Sequence, residues 1–142
     1  MSPEQIRRIL IVEDERSLLH LLARSFLRTP EDYEVVTVGS GEEAIEEMTE
    51  RPFGVIITDL VLPGMTGLDL LERSRMMHPE VSVIVITGFG DDEVRDRTLA
   101  LGALDYIEKP FPFERIRQAV LRGFETMTIL LQNQGGGGAT QR

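Results

Sequence analysis

Three carboxylates stand where short apolar runs end: Glu13 and Asp14 after Ile9 to Val12, and Asp59 after Val55 to Thr58. Two more functional groups follow candidate strands, Thr87 after the apolar run Val83 to Ile86 and Lys109 after Asp105 to Glu108. Carboxylates brought to one place repel one another and need a cation, unless one of them takes up a proton. With oxygen ligands and neither His nor Cys among them, a hard ion is favoured: Mg2+, with Mn2+ as a substitute, which keeps several waters and uses few protein oxygens. The same ion can bridge a phosphoryl oxygen, Lys109 can supply a point charge opposite it, and the Thr87 hydroxyl can donate a hydrogen bond. Around a lone carboxylate these groups form an electrostatic cradle for phosphoryl transfer, with Asp59 as nucleophile.

The chemistry requires elements that bring those positions together. Strands are predicted over Arg8 to Glu13, Tyr33 to Val38, Val55 to Asp59, Val81 to Thr87 and Asp105 to Glu108. Between them lie segments of helical period. Glu15 to Arg28 carries Leu18, Leu19, Leu22 and Phe26 on one face. Ser40 and Glu43 read as a capping box ahead of Ala44, Ile45 and Met48, and Thr66 with Asp69 repeats that signal less strongly before Leu68, Leu71 and Met76. Asp91 caps a helix through Leu101, where Gly102 suits the stop, and Pro112 opens a fifth helix running to about Gln132. The alternation implies a doubly wound parallel α/β sheet of five strands, order 2-1-3-4-5, with helices on both faces. In such sheets ligands bind beyond the carboxyl ends of the strands, which is where Glu13, Asp14, Asp59, Thr87 and Lys109 fall. The second strand ends at Val38 and Gly39, as suits an edge away from the crevice.

Composition narrows the classes. The 142 residues fit one domain, placed at residues 6–132, followed by a flexible Gly-rich tail or linker at 133–142 that contains Gly135 to Gly138. The net charge of −9 argues against binding a nucleic-acid backbone. No cysteine is present, which removes disulfides and thiolate chemistry and fits a reducing cytoplasm. The longest apolar runs, Ile9 to Val12 and Val83 to Ile86, are far short of a membrane span of about 20 residues. The six methionines read as core filler, and His20 and His78 as surface or helix-packing residues.

Four segments, Ile11-Val12-Glu13-Asp14-Glu15, Thr58 to Met65, Val85-Ile86-Thr87-Gly88 and Tyr106-Ile107-Glu108-Lys109-Pro110-Phe111, together resemble the receiver domain of two-component response regulators. The likeness runs from about Ile9 to Leu130 and implies a flavodoxin-like, CheY-like fold. It also implies that Asp59 accepts a phosphoryl group from the phosphohistidine of a sensor histidine kinase or phosphotransfer protein. Glu13, Asp14, Asp59 and the backbone carbonyl of Val61 would hold Mg2+, while Thr87 and Lys109 would contact the phosphoryl group. Glu13 stands where the family accepts Glu or Asp. A cis bond before Pro110 is implied, as is a switch in which Thr87 shifts and the aromatic ring of Tyr106 moves inward. The output surface would be the fourth helix, fifth strand and fifth helix, and the chain would act as a signalling switch rather than a multiple-turnover enzyme.

Two other classes share parts of this pattern. Haloacid-dehalogenase-like phosphatases also form an aspartyl phosphate, but usually carry a second aspartate two residues on, where this chain has Val61. A flavin-binding module shares the topology, but no phosphate-cradling loop follows the first strand. In the fifth helix Phe113, Ile116, Val120, Gly123, Met127 and Leu130 form a seam that Gly123 weakens. Its end leaves Met127, Leu130 and Leu131 for a homodimer partner or a following domain; the face of the fourth helix, fifth strand and fifth helix is the other dimer surface. DNA binding would belong to an output domain of a parent protein, not to this chain.

Overall fold

In the computed structural model, which describes residues 7–140, strands and helices alternate: β1 (Arg8–Val12), α1 (Arg16–Leu27), β2 (Glu34–Val38), α2 (Gly41–Glu50), β3 (Val55–Asp59), α3 (Gly67–Met77), β4 (Ser82–Thr87), α4 (Asp92–Ala100), β5 (Asp105–Glu108) and α5 (Phe113–Thr140). All strand pairs are parallel, in the order β2-β1-β3-β4-β5. Every residue of β1, β3 and β4 is buried, as the unbroken apolar runs predict for strands covered on both sides.

The pleat divides the core into two layers. Leu10, Val12, Ile56, Val83, Val85 and Tyr106 pack with α2 and α3 residues such as Met48 and Leu70. Ile9, Ile11, Val55, Ile57, Ile84, Ile86 and Ile107 pack with Leu19, Leu22 and Phe26 of α1 and Ile116 and Val120 of α5. Each strand side chain thus faces opposite to its neighbour, and a one-residue change at a strand end switches the layer a side chain enters.

Helix starts follow the predicted caps, with one reversal of strength. Thr66 and Asp69 form the complete reciprocal capping box at α3. At α2 the Ser40 hydroxyl accepts from the Glu43 N–H, but the Glu43 carboxylate reaches back to the Gly39 N–H instead. Asp91 caps α4, and Gly102, at φ 105°, follows its end in a conformation that favours glycine. The peptide bond before Pro110 is cis, as implied.

Four expectations are corrected. In α3 the buried leucines are Leu70 and Leu71, while Met76 is 83% exposed, because the face turned to the sheet runs through Gly67, Leu70, Leu71 and Ser74 rather than through Leu68 and Met76. Met76 is accordingly not core filler. Met127 lies in the core at 1% exposure, not on a surface left for a partner; Leu130 is exposed. Gly123 strengthens the α5 seam: a Cβ there would lie 2.7 Å from Val55 Cγ2, so its absence lets the helix close on the sheet, where Ser82 donates to its carbonyl at 3.3 Å. Finally, α5 continues past Gln132 to Thr140. Each glycine costs about 1 kcal/mol against alanine, but an established helix extends without paying nucleation again. Residue 6 of the expected domain and residues 141–142 of the expected tail lie outside the described residues.

Candidate functional site

The carboxyl ends of β1, β3 and β5 converge on a cleft of about 290 Å3 lined by Glu13, Asp14, Glu15, Asp59, Val61, Gly88, Phe89 and Lys109. One carboxylate oxygen from each of Glu13, Asp14 and Asp59 lies within 4.8 Å of the others. Glu13 is buried at 1% exposure and Asp59 at 6%, while Asp14 faces solvent. The three positions named from the strand ends are therefore gathered, with the exposed acid at the mouth and two buried ones behind it.

Lys109 supplies the counter-charge. Its Nζ donates to Asp59 Oδ2 at 2.6 Å and to Glu13 Oε1 at 3.1 Å. The other oxygen of each acid is also satisfied: Asp59 Oδ1 accepts from the Val61 N–H at 3.0 Å, and Glu13 Oε2 from the Glu15 N–H at 3.0 Å. Burial, with the neighbouring charge of Asp59 adding to it, raises the Glu13 carboxyl to about 7 against the lowering by the Glu15 N–H and Lys109. Burial pulls the Lys109 ammonium down, but its bonds and charge attraction to Asp59 and Glu13 outweigh that and hold it above its ordinary value.

Thr87 stands apart from this group. Its side chain is fully buried, it does not line the cleft, and its Oγ1 accepts the Phe89 N–H at 3.0 Å. The register explains the placement. Asp59 pairs with Ile86, so Thr87 lies one residue further along β4 and, by the pleat, shares the layer of Val85 and Tyr106. Tyr106 is already buried, at 8% exposure. Phe89, 87% exposed at the rim of the cleft, was not singled out by the strand-end rule because it belongs to the loop after β4; its place between Gly88 and Gly90 was the available signal. His20 is exposed, and His78 caps α3 with Nε2 3.2 Å from the Met48 carbonyl, so neither histidine enters the site.

An acidic cleft with one lysine, at the carboxyl end of a 2-1-3-4-5 sheet, defines the receiver class of α/β domain. The model of the response regulator receiver domain matches residues 9–121, and the chain belongs to that family. Sporulation initiation phosphotransferase F of Bacillus subtilis is 31% identical over 113 residues, covering 80% of this chain and 90% of that protein. The two-component response regulator PhoP of Pseudomonas aeruginosa is 37% identical over 129 residues, covering 86% of this chain and 56% of that protein. The chain spans only 26% of the luminescence regulatory protein LuxO of Vibrio campbellii, with 35% identity. Among solved structures, a response regulator receiver domain protein from Clostridium thermocellum matches with a TM-score of 0.77 at 29% identity, covering 87% of this chain and 98% of that one. The receiver domain of a putative LuxO repressor protein from Vibrio parahaemolyticus matches with a TM-score of 0.80 at 30% identity, covering 86% and 92%.

Proposed function

We propose that this receiver domain takes a phosphoryl group onto Asp59 and so switches the surface formed by α4, β5 and α5. The observation that carries the reading is the convergence of Glu13, Asp14 and Asp59 oxygens within 4.8 Å, with Lys109 Nζ bonded to two of the three acids. The donor would be the phosphohistidine of a sensor histidine kinase or phosphotransfer protein, or a small acyl phosphate. From phosphohistidine, an Asp59 carboxylate oxygen forms the new P–O bond as the P–N bond breaks and the imidazole leaves; water later cleaves the acyl phosphate to release inorganic phosphate.

The all-oxygen donor set fits a hard divalent cation. Glu13, Asp14, Asp59 and the Val61 carbonyl would hold Mg2+, or Mn2+ in its place, and the ion would neutralise charge on the phosphoryl oxygens. Lys109 orients the Asp59 carboxylate through its 2.6 Å bond, and stays beside it as a positive charge when the phosphoryl group arrives. The Thr87 hydroxyl, held by the Phe89 N–H before transfer, would turn to the phosphoryl oxygens, and Tyr106, in the same sheet layer, would respond. The domain assists its own phosphorylation and dephosphorylation rather than turning over an external substrate. Its output would be a partner or a domain of a longer regulator.

Incubation with a small acyl phosphate and Mg2+ is expected to add the mass of one phosphoryl group to the intact chain, and Asp59→Asn to abolish the gain. No gain in the parent chain, or release of phosphate from a monoester over many turnovers, would overturn the reading.

A further inference from the structure

The Tyr106 hydroxyl is buried and finds no hydrogen-bond partner among the described residues. A hydroxyl in that state has given up water without replacing it, so its burial disfavours the ring's position. What makes the position available is Gly90. A Cβ built on Gly90 would lie 1.4 Å from Tyr106 Oη, 2.7 Å from its Cζ and 3.1 Å from Thr87 Cγ2. The hydroxyl therefore fills the volume that the first carbon of any side chain at position 90 would occupy. Backbone conformation is not the reason for glycine here, since among the described residues the glycines with positive φ are Gly64 and Gly102. Space is.

The fold brings the three residues together by register. Tyr106 pairs with Val85 across β4 and β5, Thr87 follows two residues along on the same face, and Gly90 directly precedes the Asp91 cap of α4. Because β5 is an edge strand, the ring has an alternative place in solvent, where its hydroxyl would be hydrated.

We infer that Gly90 is the positioning residue for the Tyr106 switch: its missing side chain admits the ring beneath the loop between β4 and α4, while the unpartnered hydroxyl keeps that buried place close in free energy to the solvent-facing one. Two opposed features of this chain thus hold the switch near balance, the condition under which a small bias at Thr87 can shift the populations. The inference deepens the switch reading and rests on it for its consequence, but ring position can be measured with no phosphoryl group present.

The chain has two tyrosines, Tyr33 and Tyr106, so protein containing 3-fluorotyrosine gives two 19F signals, assigned with Tyr33→Phe. In the unphosphorylated parent chain the Tyr106 signal is expected to be partly protected from a soluble nitroxide, as two populated ring positions require. Gly90→Ala is expected to lose that protection while circular dichroism shows the fold retained. A Tyr106 signal that stays protected in folded Gly90→Ala overturns the inference. Tyr106→Phe supplies a second test, independent of whether Gly90→Ala folds. With no hydrogen bond to lose, it is expected to raise the urea midpoint without changing the slope; a lowered midpoint would show a hydroxyl that is bonded and would overturn the balance. Absence of phosphoryl uptake in the parent chain would defeat the functional reading but leave both of these results standing.

Discussion

At the scale of single residues, Lys109 and Asp14 do separable work. Lys109 touches both buried acids, whereas Asp14 is the solvent-facing member of the acidic group. Removing a cation from among metal ligands does not weaken them toward a metal, so Lys109→Ala is expected to leave Mg2+ affinity undiminished or tighter. Loss of a charge preorganised at the reacting group is expected to slow phosphoryl uptake by about 100-fold. Asp14→Asn is expected to weaken Mg2+ binding instead. Metal titration beside a mass-spectrometric time course separates the two, and a loss of Mg2+ affinity in Lys109→Ala would contradict the assignment. The acids and the lysine were legible because each ends a strand, and strand ends in this topology share one crevice. The state of Thr87 was not. Its hydroxyl direction depends on the Phe89 N–H, a contact within a three-residue turn that no spacing encodes.

The elements were legible where one face is plainly apolar and misread where two faces compete. In α1, Leu19, Leu22 and Phe26 are all buried as their spacing indicated. In α3, apolar residues at 68, 70, 71, 76 and 77 spread around the helix, and the face that also carries the small residues Gly67 and Ser74 is the one that enters the core. Leu70→Ala is therefore expected to cost about 2–5 kcal/mol, and Met76→Ala no more than about 0.5 kcal/mol, in urea unfolding. Equal costs would mean that the α3 phase is wrong. Gly123 was misjudged for a related reason: an absent side chain reads as a gap in a seam, while its value lies in the Val55 and Ser82 side chains that approach it.

For the whole molecule, β5 and α5 are joined by Asp105, which accepts from Arg115 at 2.7 and 2.9 Å and from Arg122. Burial pushes the Asp105 carboxyl up, but Arg115, the Tyr106 N–H and Arg122 together pull it below its ordinary 3.8. A carboxyl lowered in the folded state contributes stability above its unfolded value and loses it as pH falls through the folded one. Asp105→Asn is thus expected to lower stability at neutral pH and to flatten the decline below about pH 4, both read in urea melts. An unchanged acid limb would show that the bridge contributes nothing. The parallel sheet was readable from the alternation, because parallel strands require crossovers of one hand, and the order 2-1-3-4-5 is the one five such strands most often adopt. The burial of Met127 was not, since it depends on how far α5 packs along the sheet. The −9 charge bounded the partners, and three of those acids compose the site. The proposed phosphorylation falls on one of them, Asp59. After phosphorylation with a small acyl phosphate and Mg2+, hydride reduction of an aspartyl phosphate leaves homoserine, which peptide mass spectrometry can locate. The expected result is homoserine at position 59 alone; homoserine at another acid, or none in phosphorylated protein, would contradict phosphorylation of Asp59.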